Sequence, residues 1–176
     1  MPQSPAFDPE RTWQPLEARI EAEQNPRCRA LLEQVRNHMR AEIRGEFDPL
    51  MATLIDDPQY HLWGIGVEAG PKGLEAVSQF YRNMIATGGN RFEFSVERIV
   101  ADETGVVTEG KMRTVTPGRD LLTRGMTEMG GDAIDPDADY MSEWQILTVW
   151  PGGADGRLIG EDIYFGSTPT SEFSKI

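Results

Sequence analysis

From Ile55 to Gly64 the chain reads IDDPQYHLWG, and this stretch decides the fold because a helical region gives way there to a short aromatic strand. Proline carries no backbone donor and holds the residue before it away from helical angles, so Asp56, Asp57 and Pro58 read as a helix exit. Tyr60 to Trp63 then read as strand. Period-2 alternation puts Tyr60 and Leu62 on one face and His61 and Trp63 on the other. Whichever face meets the interior carries a phenol or an imidazole, and the sequence leaves both faces open. Either group can move a proton near neutral pH if its surroundings shift its pKa.

Working outward toward the N-terminus, residues 1 to 26 hold five prolines, and the first dozen residues read as an extended arm. Pro15 opens a short helix with Trp13, Leu16 and Ile20 on one side. Asn25 followed by Pro26 is an N-cap with a first-turn proline. Cys28, Leu31, Leu32, Val35, Met39 and Ile43 then mark one stripe of a long helix. Glu42 falls inside that stripe and His38 on its border, one turn apart, so both need partners or a role. Gly45 ends this helix, and Asp48-Pro49 reads as the cap of a second whose Phe47, Leu50, Met51, Leu54 and Ile55 face inward. Pro71 opens a third, with Leu74, Val77, Phe80, Tyr81, Met84 and Ile85 on one face and Gly88-Gly89-Asn90 as its stop.

Beyond that stop, strands take over. Phe92, Phe94 and Val96 alternate with polar residues toward Ala101, Asp102 to Gly105 makes a turn, and Val106 to Val115 runs back. Residues 117 to 139 are a long Gly- and Asp-rich segment. It reads either as a solvated excursion or as a lid, with Leu121 to Met129 expected to cover a pocket mouth. Tyr140 to Trp150 and Arg157 to Phe165 are the last strands, joined through Asp155-Gly156. Helix, helix, short strand, helix and four longer antiparallel strands make an α+β fold with the helices on one face of the sheet. The chain divides into an arm with a short helix (1–26), a main domain (27–166) and a tail (167–176).

At 176 residues the chain suits one domain, which buries roughly 70% of the surface its unfolded form exposes. A net charge of -12 excludes the phosphate-backbone binding that needs clustered Lys and Arg, so no nucleic acid partner is expected. The single cysteine, Cys28, fits a reducing compartment and the core. The N-terminus lacks a basic end followed by an apolar run, and no apolar stretch reaches membrane length. The expectation is a cytoplasmic protein with no membrane partner. Two histidines and one cysteine without ligand spacing predict no metal site, and Gly64-Ile65-Gly66 lacks the rest of a dinucleotide fingerprint. There is no Walker-type loop and no GxSxG elbow. What remains is cofactor-free proton chemistry by carboxylate, imidazole and phenol.

The element order, with GPKGLEAVSQFYRN at the third helix and GRLIGEDIYFG at the end of the sheet, resembles the nuclear transport factor 2-like superfamily, particularly its SnoaL-like branch, over about residues 27 to 166. The resemblance implies a cone-shaped barrel, three helices packed on a strongly curved, mainly antiparallel sheet around an apolar pocket, and frequent dimerisation through the outer sheet face. It spans polyketide cyclases, ketosteroid isomerases, scytalone dehydratases, epoxide hydrolases, cofactor-free lyases, oxygenase small subunits and non-catalytic transport factors, and a fold does not choose among functions. Relatives that do chemistry place Asp, His or Tyr on the inner wall of the first and last strands. The matching positions are Tyr60, His61, Asp162 and Tyr164. Gly166 departs from the Asp that commonly ends the last strand, so that role is vacant or passes to Asp162.

These readings combine into one expectation. His61 is the principal acid or base, with Tyr60 and Asp162 completing the catalytic set, and Trp63, Tyr81, Tyr164, Trp144, His38 and Glu42 contact the substrate. The bland alternatives are a satisfied core histidine at 61 and a solvent-facing carboxylate at 162. The function is a cofactor-independent lyase, dehydratase, isomerase or cyclase acting on a hydrophobic, oxygenated, aromatic small molecule; the alternative is a non-catalytic binding or oxygenase-accessory module. Trp144, Ile146 and Trp150 lie on one face of their strand and Met141, Leu147 and Val149 on the other, which helices on one side cannot both cover, so a homodimer is expected.

Overall fold

The computed structural model describes residues 6–64, 69–166 and 173–176. The start of the arm, the centre of the glycine-rich turn after Trp63 and most of the tail lie outside those residues. A 3-10 turn at Pro9–Arg11 leads into helix α1 (Gln14–Ala22), α2 (Pro26–Arg44) and the short α3 (Phe47–Met51), followed by strand β1 (Leu54–Trp63) and helix α4 (Gly73–Ala86). Strands β2 (Phe92–Asp102) and β3 (Gly105–Pro117) form a hairpin. After α5 (Gly118–Thr123) and the two-residue strands β4 (Glu128–Met129) and β5 (Asp132–Ala133) come β6 (Asp139–Pro151), β7 (Leu158–Phe165) and β8 (Phe173–Lys175). This is the α+β class, with helices packed on a mainly antiparallel sheet.

Helix α2 is shaped by its ends and its stripe. The Asn25 side chain accepts hydrogen bonds from the backbone N–H groups of Arg27 and Cys28, satisfying donors that a helix start leaves orphaned. At the other end Gly45 takes a left-handed φ of 67° and its N–H closes on Ala41 and Glu42, a conformation that costs glycine little. Between these caps Leu31, Leu32 and Val35 are fully buried. Trp13, Leu16 and Ile20 are buried as well, so the arm helix belongs to the same core, and the Thr12 hydroxyl accepts from the N–H of Phe94.

The main sheet runs β1-β7-β6-β3-β2, with β8 added to β6; β1 pairs parallel to β7 and the other pairs are antiparallel. β1 and β2 stand at opposite edges, yet Leu62 of β1 and Phe94 of β2 line one cavity. Five strands laid flat would hold these edges about 19 Å apart, so the sheet curls strongly round the helices. Register irregularities between Leu54 and Gln59 and between Val96 and Arg98 supply bends of the kind bulges produce.

Several boundaries differ from the sequence reading. Asp56, Asp57 and Pro58 lie within β1 rather than at a helix exit, and Arg157 holds the segment by donating to the Leu54 carbonyl and the Asp56 carboxylate. Proline is tolerated there because the strand bulges away from β7 at this point. α3 is capped at Glu46, not by the Asp48 side chain. α4 begins at Gly73, and Leu74 in its first turn is 52% exposed, outside the face that holds Val77 and Tyr81. The excursion over residues 117 to 139 folds on itself. Leu121, Ile134 and Tyr140 form a small separate core with Leu122, Met126 and Met129 against it, and the Tyr140 hydroxyl accepts from the N–H of Asp135. None of those residues lines the apolar cavity.

Candidate functional site

Between α2, α4 and the concave face of the sheet lies a cavity of about 360 Å³. Its walls are apolar: Phe80, Phe92, Phe94, Phe165, Met112 and Trp144 are among the lining side chains, and two carboxyl groups, Glu42 and Glu161, reach it. Among the described residues, no Lys or Arg lines it.

β7 places Glu161 here through a break in alternation. Leu158 and Glu161 are both buried although they stand three positions apart, an offset that puts residues on opposite faces of a regular strand, so the strand changes face between them. The break sits at Gly160, where φ is 154° and a Cβ would come within 1.9 Å of the Gln59 carbonyl oxygen; only glycine permits so close an approach of β1. From Gly160 onward Glu161, Ile163 and Phe165 face inward, and Asp162 and Tyr164 face outward. The parallel register pairs Tyr60 with Glu161 and His61 with Asp162, so Tyr60 shares the inner side.

Behind Glu161 lies a buried polar chain. The Tyr81 hydroxyl donates to Glu161 Oε1 at 2.8 Å, lies 2.8 Å from the Tyr60 hydroxyl and 2.9 Å from His38 Nε2. His38 Nδ1 lies 2.6 Å from Thr53 Oγ1, whose hydroxyl donates to the Leu50 carbonyl. Because that hydroxyl has spent its one proton, it accepts, and His38 Nδ1 carries a hydrogen. His38 Nε2 is then the nitrogen turned toward Tyr81. When Tyr81 directs its proton to Glu161, Nε2 is matched only if it is protonated, and it stands 3.3 Å from Glu161 Oε1. Tyr81 can thus pass a proton between His38 and Glu161.

The electrostatics act on Glu42 and on the two buried phenols. Burial, and then the charge of Glu161, push the Glu42 carboxyl well above its ordinary value, which favours its protonated form. It takes no hydrogen bond among the described residues, and its side chain looks into the cavity. Burial first and Glu161 second also raise Tyr60 and Tyr81 well above the usual phenol range, keeping both as donors. Ligand atoms of His38, Glu42 and Glu161 lie within 4.8 Å of one another, a donor set that a divalent cation could use. Such an ion would have to displace Tyr81 from Nε2 and work against the burial that favours the protonated form of Glu42.

The expected site residues therefore separate into two groups. Glu42 and Trp144 line the cavity, while His38, Tyr60 and Tyr81 form the buried layer that supports Glu161. His61, Trp63, Asp162 and Tyr164 are on the convex face: His61 stacks on Trp63 with ring centroids 5.5 Å apart, Trp63 on Tyr164 at 6.3 Å, and Tyr164 is 44% exposed. Lys72 Nζ lies 2.9 Å from His61 Nδ1. The placement follows from Tyr60 packing inward, which turns its neighbour His61 out. Sequence reasoning missed Glu161. Its spacing from Ile163 and Phe165 was the available signal, whereas counting by twos from Leu158 selects Asp162.

A family model described as SnoaL-like domain matches residues 35–133. The chain belongs to the SnoaL-like family. No curated protein sequence matches it, but solved structures share its fold. An NTF2-like protein from Anabaena variabilis is 16% identical with a TM-score of 0.54, over 85% of this chain and 98% of that one. The epoxide hydrolase/cyclase-like enzyme SalBIII, described for pyran ring formation in the polyether salinomycin, is 12% identical with a TM-score of 0.53, over 78% and 91%. An LEH-like epoxide hydrolase of Mycobacterium tuberculosis is 20% identical with a TM-score of 0.51, over 80% and 85%. At these identities the likeness speaks for the SnoaL-like fold alone.

Proposed function

We propose that this SnoaL-like protein is an acid–base enzyme that acts, with protons as its reagents, on a neutral, hydrophobic, oxygenated small molecule, in the lyase, dehydratase, isomerase or cyclase class. The observation that carries this reading is the pairing of the Glu42 and Glu161 carboxyls, ligand atoms within 4.8 Å, at the polar end of an apolar cavity. A carrier pocket needs no such pair, and holding two carboxyls this close without a cation costs stability. The names of two structural neighbours, a cyclase-like enzyme and an epoxide hydrolase, are compatible with chemistry of this kind on the fold. The absence of Lys and Arg from the lining argues for an uncharged substrate.

In this scheme Glu42 donates its proton to the substrate oxygen that gains charge, and Glu161 removes a proton from carbon or hydroxyl. Tyr81 and His38 are positioning residues: they do not line the cavity, but they orient Glu161 and spread the charge that proton transfer creates. Tyr60 holds Tyr81 from the other side. The adjacent carboxyls then exchange a proton, which resets the pair.

The test is a panel of aryl ketones, benzylic diols and aryl epoxides, followed for turnover and, for the ketones in D2O, for exchange of the α-hydrogens by NMR. Wild-type protein should accelerate at least one of these, and Glu161→Gln should slow it by about 10²- to 10⁴-fold, the worth of one positioned acid or base. Equal rates for wild type and Glu161→Gln on every responsive compound, or no response across the panel, would overturn the proposal.

A further inference from the structure

On one side the apolar cavity meets a second hollow, of about 390 Å³. Gly89 and Thr114 line both, and the hollow is lined further by Gly88, Arg91, Thr116, Asp120 and Arg124. Strand β3 makes the connection. Met112, Thr114 and Thr116 stand two positions apart and so share one face of the strand; along it the lining passes from Met112 in the cavity, through Thr114 at the join, to Thr116 in the hollow. That step covers about 13 Å of backbone. From the other side Asn90, next to Gly89, donates its side-chain amide to the Ile43 carbonyl at 3.0 Å, which ties the join to the turn of α2 that carries Glu42. The hollow is a vestibule beside the acid.

Its polar groups are open. Arg91 and Arg124 are exposed, and among the described residues neither side chain has a hydrogen bond or an ion pair. A Cβ at Gly88 would stand 3.9 Å from Cδ and Nε of Arg91, so the Arg91 side chain lies over the glycines of the join. Other arginines of the protein are neutralised: Arg44 by Glu10, Arg98 by Glu109, Arg157 by Asp56 and Asp155. Asp120 shares the vestibule but forms no ion pair with either arginine. Two arginines against one aspartate leave the lining one net positive charge, in a chain whose net charge is -12. Thr116 adds a donor. It is only 9% exposed and its hydroxyl bonds no described residue, yet that oxygen is not sealed from solvent as Arg113 Nη1 and Trp144 Nε1 are. A threonine hydroxyl in this state can donate to a ligand.

We propose that the vestibule is a carboxylate subsite, and that the molecule whose apolar body fills the cavity carries a carboxylate on a tail that reaches Arg91, Arg124 and Thr116. Guanidinium forks match a carboxylate in pairs of hydrogen bonds. One net positive charge suits a monoanion, whereas a dianion would also meet Asp120. The inference rests on the acid–base reading for taking the cavity as the ligand site. It narrows that reading in one respect: the substrate is uncharged where it meets Glu42 and Glu161, and its charge stands outside the cavity.

The experiment compares 6-phenylhexanoate, a ring and a chain ending in carboxylate, with 6-phenylhexanamide, its uncharged isostere, and with 6-phenylhexyl phosphate. Wild-type protein should bind the acid at least about tenfold tighter than the amide. Arg91→Gln and Arg124→Gln should each weaken acid binding by about 3- to 10-fold, between the worth of an exposed ion pair and that of a charge-assisted hydrogen bond. Thr116→Val should weaken it by about threefold. Amide affinity should stay within twofold in both arginine variants, which also shows that they are folded. In wild type alone, raising the salt from about 0.05 M to about 1 M should bring the acid toward the amide, because screening shortens the reach of the arginine charges; this arm needs no variant. Equal binding of acid and amide by wild type, a preference that survives both arginine changes or the high salt, or phosphate bound more than about tenfold tighter than the carboxylate would overturn the proposal. Any of these would leave the acid–base reading standing, since that reading is judged by the turnover of Glu161→Gln on uncharged compounds.

Discussion

Glu42→Gln keeps the size and shape of a buried side chain and removes its titration, so it separates what Glu42 does for stability from what it does for chemistry. Burial and the Glu161 charge raise the Glu42 carboxyl well above its ordinary value of 4.5. The native state therefore binds more protons than the unfolded chain between 4.5 and the raised value. The sign follows: stability is fully present below the unfolded pKa and is lost as pH rises toward the folded one, at about 1.4 kcal/mol per pH unit. For a chain of this length 1 kcal/mol moves the melting temperature by about 2–4 °C, so the loss is about 3–6 °C per pH unit. Gln does not titrate. Thermal melts of both proteins from pH 5 to 8 should show the variant gaining on wild type by that amount per unit until the difference levels off at the folded pKa. The exposed carboxylates held below their ordinary range by ion pairs, such as Asp155 beside Arg157, act equally in both proteins and cancel. Glu161→Gln removes one of the two causes and should shorten the window, read as a property of the pair. Turnover of Glu42→Gln should fall by about 10²- to 10⁴-fold. Parallel melting curves for wild type and Glu42→Gln would show that Glu42 is charged in the folded protein and would refute the assignment of the acid.

His61→Gln, on the convex face, should keep near-full turnover, whereas Tyr81→Phe, which cuts the link between His38 and Glu161, should lower turnover and shift the pH–rate profile; the reverse order would restore His61 as the base. Chelation should leave turnover unchanged, and added zinc should inhibit the wild type by competing for His38, Glu42 and Glu161, with weaker zinc binding by Glu42→Gln in calorimetry as the check. Leu121→Ala should cost about 2–5 kcal/mol in denaturant titrations while ligand affinity stays within twofold, because its small core stands apart from the cavity lining; a large affinity loss would revive the lid. The convex row of Trp63, Tyr164 and Leu147, joined by the β1–β7 and β6–β7 registers, should bury itself in a homodimer. Sedimentation should then report a dimer at micromolar concentration that Leu147→Glu dissociates.

The sequence alone determined the features that depend on local spacing and on end chemistry. The stripe of α2, its Asn25 and Gly45 caps, the β2–β3 turn and the order of helices before strands were all legible, and with them the α+β class. Even His38 and Glu42 were visible as polar residues within or beside an apolar stripe, since helical periodicity shows which residues share a face. What each residue meets across that face was not local information. Tertiary structure alone joined His38 and Glu42 on α2 to Tyr81 on α4, Tyr60 on β1 and Glu161 on β7. It alone chose the inner face of β1, because a strand's alternation yields two equivalent faces until something packs on one of them. Glu161 replaced Asp162 for the same kind of reason: Gly160 breaks the alternation where β1 passes within reach of the β7 backbone, and a single-residue change of face at that contact decides which of two adjacent carboxylates enters the cavity.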